Sequence, residues 1–252
     1  MRVLLFSDIH GNAVALDAVL ADSVRHGPYD LMICAGDLVW AGPRPLEVMA
    51  RIRELCRDDP SGKSGGAIAL HGNTDLMLLE GKNEGPPPGK DIERFARLQE
   101  WILEQLAPAD VDFIRRMPFS HRAGLLPGHD LFAVHANPRN VDDPIHPELT
   151  DAAIDGLVNA EDFQVLAFGH VHVPFVRLWR GRLLVNVASA GLSMDGDPRA
   201  AYSVLTWSGG AWSVAQYRVE YDVQKVARDI RRCGLPRGRH FAERLLAASY
   251  SS

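Results

Sequence analysis

Seven residues able to ligate metals stand in five short clusters along the chain. They are Asp8 and His10 in FSDIHGN, Asp37 in CAGDLVWAGP, Asn73 in LHGNTD, His135 in AVHANP, and His170 with His172 in FGHVH. Four clusters follow short apolar runs (VLLF, LMICA, LFAV and VLAF) of the kind that form buried strands. In open α/β sheets, ligands gather beyond the carboxyl ends of strands. A chain that repeatedly delivers His, Asp and Asn to that edge is building one polyvalent site. Imidazole together with carboxylate suits Mn, Fe or Zn. Seven ligands exceed one tetrahedral ion and match two ions that share a bridging carboxylate. Gly36, Gly72 and Gly169 each precede a ligand, where the backbone must turn sharply and pass close to a crowded centre.

The order of the clusters resembles the pattern of the calcineurin-like metallophosphoesterases: D-x-H, G-D, G-N-x-[DE], an isolated His, then G-H-x-H. Here these stand as Asp8-Ile9-His10, Gly36-Asp37, Gly72-Asn73-Thr74-Asp75, His135 and Gly169-His170-Val171-His172. The resemblance runs from residue 1 to about 207, and GDPRAAYSVL (196–205) is similar to the closing segment of the small bacterial and archaeal phosphodiesterase-like branch. It implies a four-layer α/β/β/α sandwich of two mixed sheets flanked by helices. It also implies two divalent transition-metal ions, with Mn favoured and Fe, Zn or Ni as alternatives. Asp8, His10, Asp37 and His172 would hold one ion, and Asp37, Asn73, His135 and His170 the other. A hydroxide bridging the ions would be the nucleophile, with Asp37, Asn73 and His135 as the catalytic residues around it. The neutral Asn carbonyl limits the negative charge of the site and lets an anionic phosphate approach.

The sequence departs from the family in two places. Many members carry a His after the G-N pair that assists the leaving group or binds phosphate; this chain has Thr74, which cannot act as a general acid near neutral pH. GDLVWAGP also lacks the G-D-x-V-D-R-G signature of Ser/Thr protein phosphatases and diadenosine tetraphosphatases, with Ala41 standing where that signature has its Arg. Both departures favour a phosphodiesterase over a phosphomonoesterase or protein phosphatase. A non-catalytic scaffold is the reading from another class, and the survival of all seven ligands weighs against it.

The ligand clusters must be positioned by alternating strands and helices. Residues 2–7, 30–35 and 66–71 read as strands and 45–57 as a helix. NAVALDAVLADSVRHG reads as another helix, with Asn12 as a cap and Gly27-Pro28 as its stop. This βαβ run implies a parallel core. GKNEGPPPGK (81–90) reads as a loop, followed by an amphipathic helix at 91–106 capped by Asp91, with Ile92, Phe95, Ile102 and Leu106 on one face. The stretch 76–108 is thus a helical insertion that covers either the site or the sheet. Strands are expected at 111–123, 130–136, 163–169, 174–180 and 182–188. Hairpins turn at Arg180-Gly181 and Gly209-Gly210, and two short helices split by Gly234-Leu235-Pro236 fill 222–249. The whole, 1–252, reads as one domain.

Composition sets the outer bounds. A hydrophobic content of 46%, a charged content of 23% and a net charge of −5 are those of an ordinary globular protein. The acidic balance argues against a nuclease acting on long nucleic acid, so the expected partner is a phosphoester small molecule or nucleotide. Residues 218–252 carry eight Lys/Arg against four Asp/Glu, which reads as a solvated helix face or a patch for an anionic partner. Three unpaired-looking cysteines, and an N-terminal apolar run too short for a signal peptide or membrane span, suggest a cytoplasmic protein. His26, His71, His121, His129, His146 and His240 read as ordinary polar residues. Arg139, Arg44 and Arg199 are the residues that could each clamp a substrate phosphate with a bidentate fork.

Overall fold

The computed structural model describes residues 1–79, 92–124, 129–158 and 162–250. Its first half runs β1 (Arg2–Phe6), α1 (Ala13–Ser23), β2 (Leu31–Cys34), α2 (Pro45–Leu55), β3 (Ile68–Ala69), α3 (Asn73–Leu79), α4 (Ile92–Gln105) and α5 (Pro108–Arg115). Then follow β4 (Ser120–Ala123), β5 (Leu131–Val134), α6 (Asp151–Val158), β6 (Val165–Phe168), β7 (Phe175–Trp179) and β8 (Arg182–Asn186). The chain closes with β9 (Ala200–Ser208), β10 (Ala211–Val219), α7 (Val223–Arg232) and α8 (Gly238–Ala247).

Two mixed five-stranded sheets result, ordered β10-β9-β1-β2-β3 and β4-β5-β6-β8-β7. β1, β2 and β3 pair in parallel, as do β5, β6 and β8. The period-2 alternation of each strand assigns its side chains to two different cores. Val3 and Leu5 of β1 meet Leu131 and Ala133 of β5 and Val165 and Ala167 of β6 between the sheets. Leu4 and Phe6 point the other way, into the layer of α1, α2, α7 and α8, while Phe132, Leu166 and Phe168 pack under Ile154 and Val158 of α6. That is the four-layer α/β/β/α sandwich.

Both tight hairpins form where expected. Arg180 and Gly181 have φ of 48° and 78°, and Gly209 and Gly210 have 59° and 85°, the pair of positive angles that lets a two-residue turn follow the strand twist. Asn12 caps α1, its Oδ1 accepting from Ala15 N at 3.1 Å. The two C-terminal helices also stand as expected, whereas β3 is far shorter than 66–71.

One strand expectation is corrected. Residues 111–123 do not form a single strand; 108–115 is helix α5 and only 120–123 extends. Pro108 sits in the first turn, Asp110 accepts from Ala107 N at 2.9 Å and pairs with Arg53 at 2.8 Å, and Phe113 and Ile114 are fully buried. A first-turn proline and a carboxylate on the opening N–H groups override the apolar look of VDFI. The proline loop at 81–90 and the proposed cap Asp91 lie outside the described residues. No helix among those described is long and apolar enough to cross a membrane.

Candidate metal centre

The turns after five elements converge on one edge of the sandwich. Asp8 and His10 follow β1, Asp37 follows β2, Asn73 opens α3 after β3, His135 follows β5, and His170 and His172 follow β6. The first sheet therefore supplies four of the residues and the second sheet three. Hydrogen bonds across the gap lock the halves together: His170 N donates to Asp8 Oδ2 at 2.9 Å, and His135 Nδ1 donates to Ala35 O at 2.7 Å.

The local backbone is forced. Asp8, His10, Asp37, His170 and His172 all have φ between 49° and 67°, the left-handed region that non-glycine residues rarely occupy. Each such residue costs about 1–3 kcal/mol, and such strain persists only where surrounding structure over-determines it. A Cβ on Gly72 would overlap Asp37 Oδ1, and one on Gly169 would overlap Ser7 Oγ and Asp8 Oδ2. Substitution at either glycine would displace a carboxylate.

The side chains form two groups that share one residue. In the first, His172 Nε2 lies 3.2 Å from Asp8 Oδ1 and 3.2 Å from His10 Nε2, which is 3.6 Å from Asp37 Oδ2. The ligand atoms of Asp8, His10, Asp37 and His172 all lie within 4.8 Å of one another. In the second, His135 Nε2 lies 3.5 Å from Asp37 Oδ1, 3.1 Å from Asn73 Oδ1 and 3.2 Å from His170 Nδ1. Asp37 thus turns one oxygen to each group.

Tautomers follow from the carbonyls behind the rings. The Nδ1–H groups of His10, His135 and His172 donate to Trp40 O, Ala35 O and Leu192 O, leaving each Nε2 lone pair aimed into the site. His170 is reversed: its Nε2–H donates to Asp142 O at 2.9 Å, and Nδ1 faces His135. Burial and the neighbouring His172 push His10 down to about 4, and burial and His135 do the same to His170, so both rings are neutral at neutral pH. Burial also opposes a charge on His135, but Asp37 and Asp8 outweigh it and shift that ring upward. For Asp8, burial is outweighed by the three imidazoles, which hold the carboxyl well below the usual range.

Asp8, His10, Asp37 and His172 fit a divalent cation. Lone pairs on His10 and His172 face each other at hydrogen-bonding distance with no proton between them in these tautomers. Asp8 Oδ1 is fully buried with no hydrogen-bond partner among the described residues. Both are costly unless a cation is shared. Ligand atoms 3.2–3.6 Å apart match the spacing set by metal bonds of about 2.0–2.2 Å.

A residue without an assigned role in the sequence proves central to the geometry. Asp75, fully buried, accepts from Asp37 N at 2.8 Å, Leu38 N at 3.0 Å and Gly72 N at 2.9 Å, clamping the two loops that carry Asp37 and Asn73. Burial and the Asp37 charge push its carboxyl up to about 7, while the three N–H groups favour the charged form. The fourth position of the G-N-x-[DE] pattern was the signal for it. Asp75→Asn should place an NH₂ against backbone donors, costing about 2–3 kcal/mol of stability and weakening metal binding roughly 10–100-fold. Denaturant titration and metal titration read the two effects. Wild-type affinity in a folded variant would remove Asp75 from this positioning role.

A cavity of about 570 Å³ opens over His10, Asp37, Asn73, Thr74, His170 and His172. Its apolar wall includes Trp40, Met77, Leu192 and Phe241, and Phe95 and Leu98 of α4 complete it, so this helix faces the site as well as the core. The Trp40 and Phe95 rings lie 5.0 Å apart. None of the six histidines read as ordinary lines the cavity; His71, for example, bonds Ile114 O at 2.7 Å.

The arginine expectations are redirected. Arg139 does not line the cavity and donates instead to Gly156 O; Arg44 pairs with Glu47 and Asp229, and Arg199 with Asp197. The arginines on the cavity wall are Arg237 and Arg244, at the start and within α8. In the sequence they belong to the basic C-terminal stretch, and nothing local separates them from its solvated neighbours.

Comparisons with known proteins agree on the class. Residues 1–174 match the family model described as calcineurin-like phosphoesterase. The crystal structure of a metallophosphoesterase from Sphaerobacter thermophilus is 27% identical, superposes with a TM-score of 0.75, and is covered over 99% of its length by 98% of this chain. An uncharacterised protein of Methanocaldococcus jannaschii is 26% identical over 93% of both chains. A symmetrical bis(5′-nucleosyl)-tetraphosphatase of Erwinia tasmaniensis is 31% identical over 151 residues, 56% of this chain and 51% of that protein.

Proposed function

The chain belongs to the calcineurin-like phosphoesterase family, and from that membership we propose that it is a dinuclear metal-dependent hydrolase of phosphodiesters. The observation that carries this reading is the division of Asp37, with Oδ2 3.6 Å from His10 Nε2 and Oδ1 3.5 Å from His135 Nε2. Asp8, His10, Asp37 and His172 would hold one ion, and Asp37, Asn73, His135 and His170 the other. Two divalent ions, when bound, make water nucleophilic at neutral pH and neutralise charge developing on the phosphoryl oxygens.

The chain's own residues supply the rest. Against two divalent ions, two carboxylates leave the loaded site net positive, which draws in a phosphoester anion. Carbonyl-anchored histidines hold their lone pairs without reorganisation, and the hydrogen bonds of Asp75 fix the bridging carboxylate. The apolar wall gives room for a second ester substituent, which supports a diester over a compact monoester dianion. Ala41 on that wall brings no cation close to the metal ligands, in keeping with the same preference. A nucleotide substrate is supported by the aromatic pair Trp40–Phe95 and by the partial likeness to a nucleosyl tetraphosphatase. We treat 1–252 as one domain in which α4 and α8 wall a single site.

Manganese is the favoured ion. Four imidazoles among seven ligands prefer later first-row metals over hard, reluctantly dehydrating magnesium. Chelator-stripped protein is expected to lose hydrolysis of bis(p-nitrophenyl) phosphate and to regain it with Mn at about tenfold lower concentration than with Mg. Equal rescue by the two ions would overturn this ligand assignment.

A further inference from the structure

Many, though not all, of the described arginines meet carboxylates. Arg53, Arg177, Arg199 and Arg218 each hold an aspartate. Arg237 and Arg244 hold none among the described residues, yet both line the cavity over the metal-site residues. Arg244 is half-buried. Its Nη2 reaches only Met194 Sδ at 3.9 Å, its guanidinium lies 5.3 Å from the Tyr250 ring, and its Nε is buried with no hydrogen-bond partner. A guanidinium offers five donors, and most of those on Arg244 are unmet among the described residues. Arg237 adds a second positive charge from a left-handed backbone position, φ 61° and ψ 23°, at the N-cap of α8. Burial, and the charge of Arg237, both work against ionisation of Arg244. Two like charges directed at one cavity, one of them partly desolvated, are stabilised by an anion that enters from outside.

The position of Arg244 limits which anion that is. The Tyr250 ring is 6.4 Å from the His172 ring and 5.3 Å from the Arg244 guanidinium, and its hydroxyl donates to Val171 O at 3.1 Å. The guanidinium therefore lies no farther from His172 than those two ring distances combined. Two phosphates on one ribose fit within such an interval, and Trp40, Phe95 and Phe241 of the same cavity offer ring faces for a base.

Resting on the phosphodiesterase reading above, we propose that Arg244 and Arg237 bind a second phosphate of the substrate, beyond the ester being cleaved, and so select nucleotides carrying at least two phosphate groups. Two chromogenic esters isolate this preference. Thymidine 5′-(p-nitrophenyl phosphate) and its 3′-phosphorylated counterpart release the same nitrophenolate and differ by one phosphate. With Mn present, kcat/KM for the 3′-phosphorylated ester is expected to exceed that for the other by tenfold or more. Arg244→Gln and Arg237→Gln should each lower the ratio, the double variant should bring it near one, and Arg244→Lys should fall between because it keeps the charge but not the planar fork. A wild-type ratio near one, or a ratio unchanged in the double variant, overturns the proposal. If neither ester turns over, calorimetric titration of the Mn-loaded protein with thymidine 3′,5′-bisphosphate separates the two ideas. Binding that weakens at least tenfold in the double variant upholds the arginine site and removes the hydrolase reading, whereas no binding to wild type removes both.

Discussion

Asp37→Ala is expected to lose at least one of two bound ions and to slow phosphodiester hydrolysis by about three orders of magnitude, the effect of removing several kcal/mol of metal-derived stabilisation. The expectation follows from the two oxygens of this one residue, which face separate histidine groups at 3.6 and 3.5 Å. No other described side chain faces both groups in this way. Asp37→Asn provides the shape-matched control. Its carboxamide oxygen can still accept from Thr74 N, as Asp37 Oδ1 does at 3.0 Å, but its NH₂ would then point at His10. It should retain the fold while losing an ion from the Asp8–His172 side. Metal analysis and turnover on the purified variants decide the matter, and two ions with full turnover in Asp37→Ala would sink the bridging assignment.

The second large effect concerns Thr74. Thr74 lines the cavity, but its Oγ1 is buried with no hydrogen-bond partner among the described residues. General acid catalysis contributes roughly 10²–10⁴-fold, and its loss falls mostly on poor leaving groups. Rates for a series of aryl phosphodiesters should therefore drop steeply as the leaving phenol becomes more basic. Thr74→His should flatten that slope and help alkyl esters more than nitrophenyl ones, because the cavity adjoins the position and gives an imidazole room. Wild-type rates nearly independent of phenol pKa, with chemistry limiting turnover, would mean that another acid acts.

Much of the site is legible along the chain because its grammar is local. A short apolar run names a buried strand, and the polar residue just after it lands at the sheet edge, as with VLLF before Asp8 and VLAF before His170. The hairpins at Arg180-Gly181 and Gly209-Gly210 were equally readable, since the turn chemistry lies within two residues. What failed was non-local. VDFI looks like a strand until Arg53, 57 residues away, pairs with Asp110 and α5 packs its Phe113 into the core. The hairpin of β9 and β10 joins the first sheet rather than the second, a choice set by pairing with β1 and invisible in its own alternation. Arg139 carried the phosphate expectation for its bidentate fork, but the loop in which Asn137 accepts from Arg139 N and Asn140 N points that arginine toward Gly156. Arg244 reaches the cavity only because α8 packs there, and no spacing within the basic C-terminal stretch encodes that.

The placement of β1 has a consequence for how the protein is made. β1 is an interior strand whose two partners are synthesised far apart in time: β2 ends at Cys34, whereas β9 spans Ala200–Ser208. At roughly 5–20 residues per second, a ribosome takes on the order of 10–30 s to travel from one to the other. Throughout that interval Arg2–Leu5, which later pair with 203–206, present an open strand edge of the kind that recruits other chains. All seven candidate ligands, the last being His172, are polymerised before the strand that closes this edge. The nascent chain thus carries its histidine loops and an unprotected apolar strand together, and the strand that ends this exposure precedes, through β10 and α7, the helix α8 that walls the cavity.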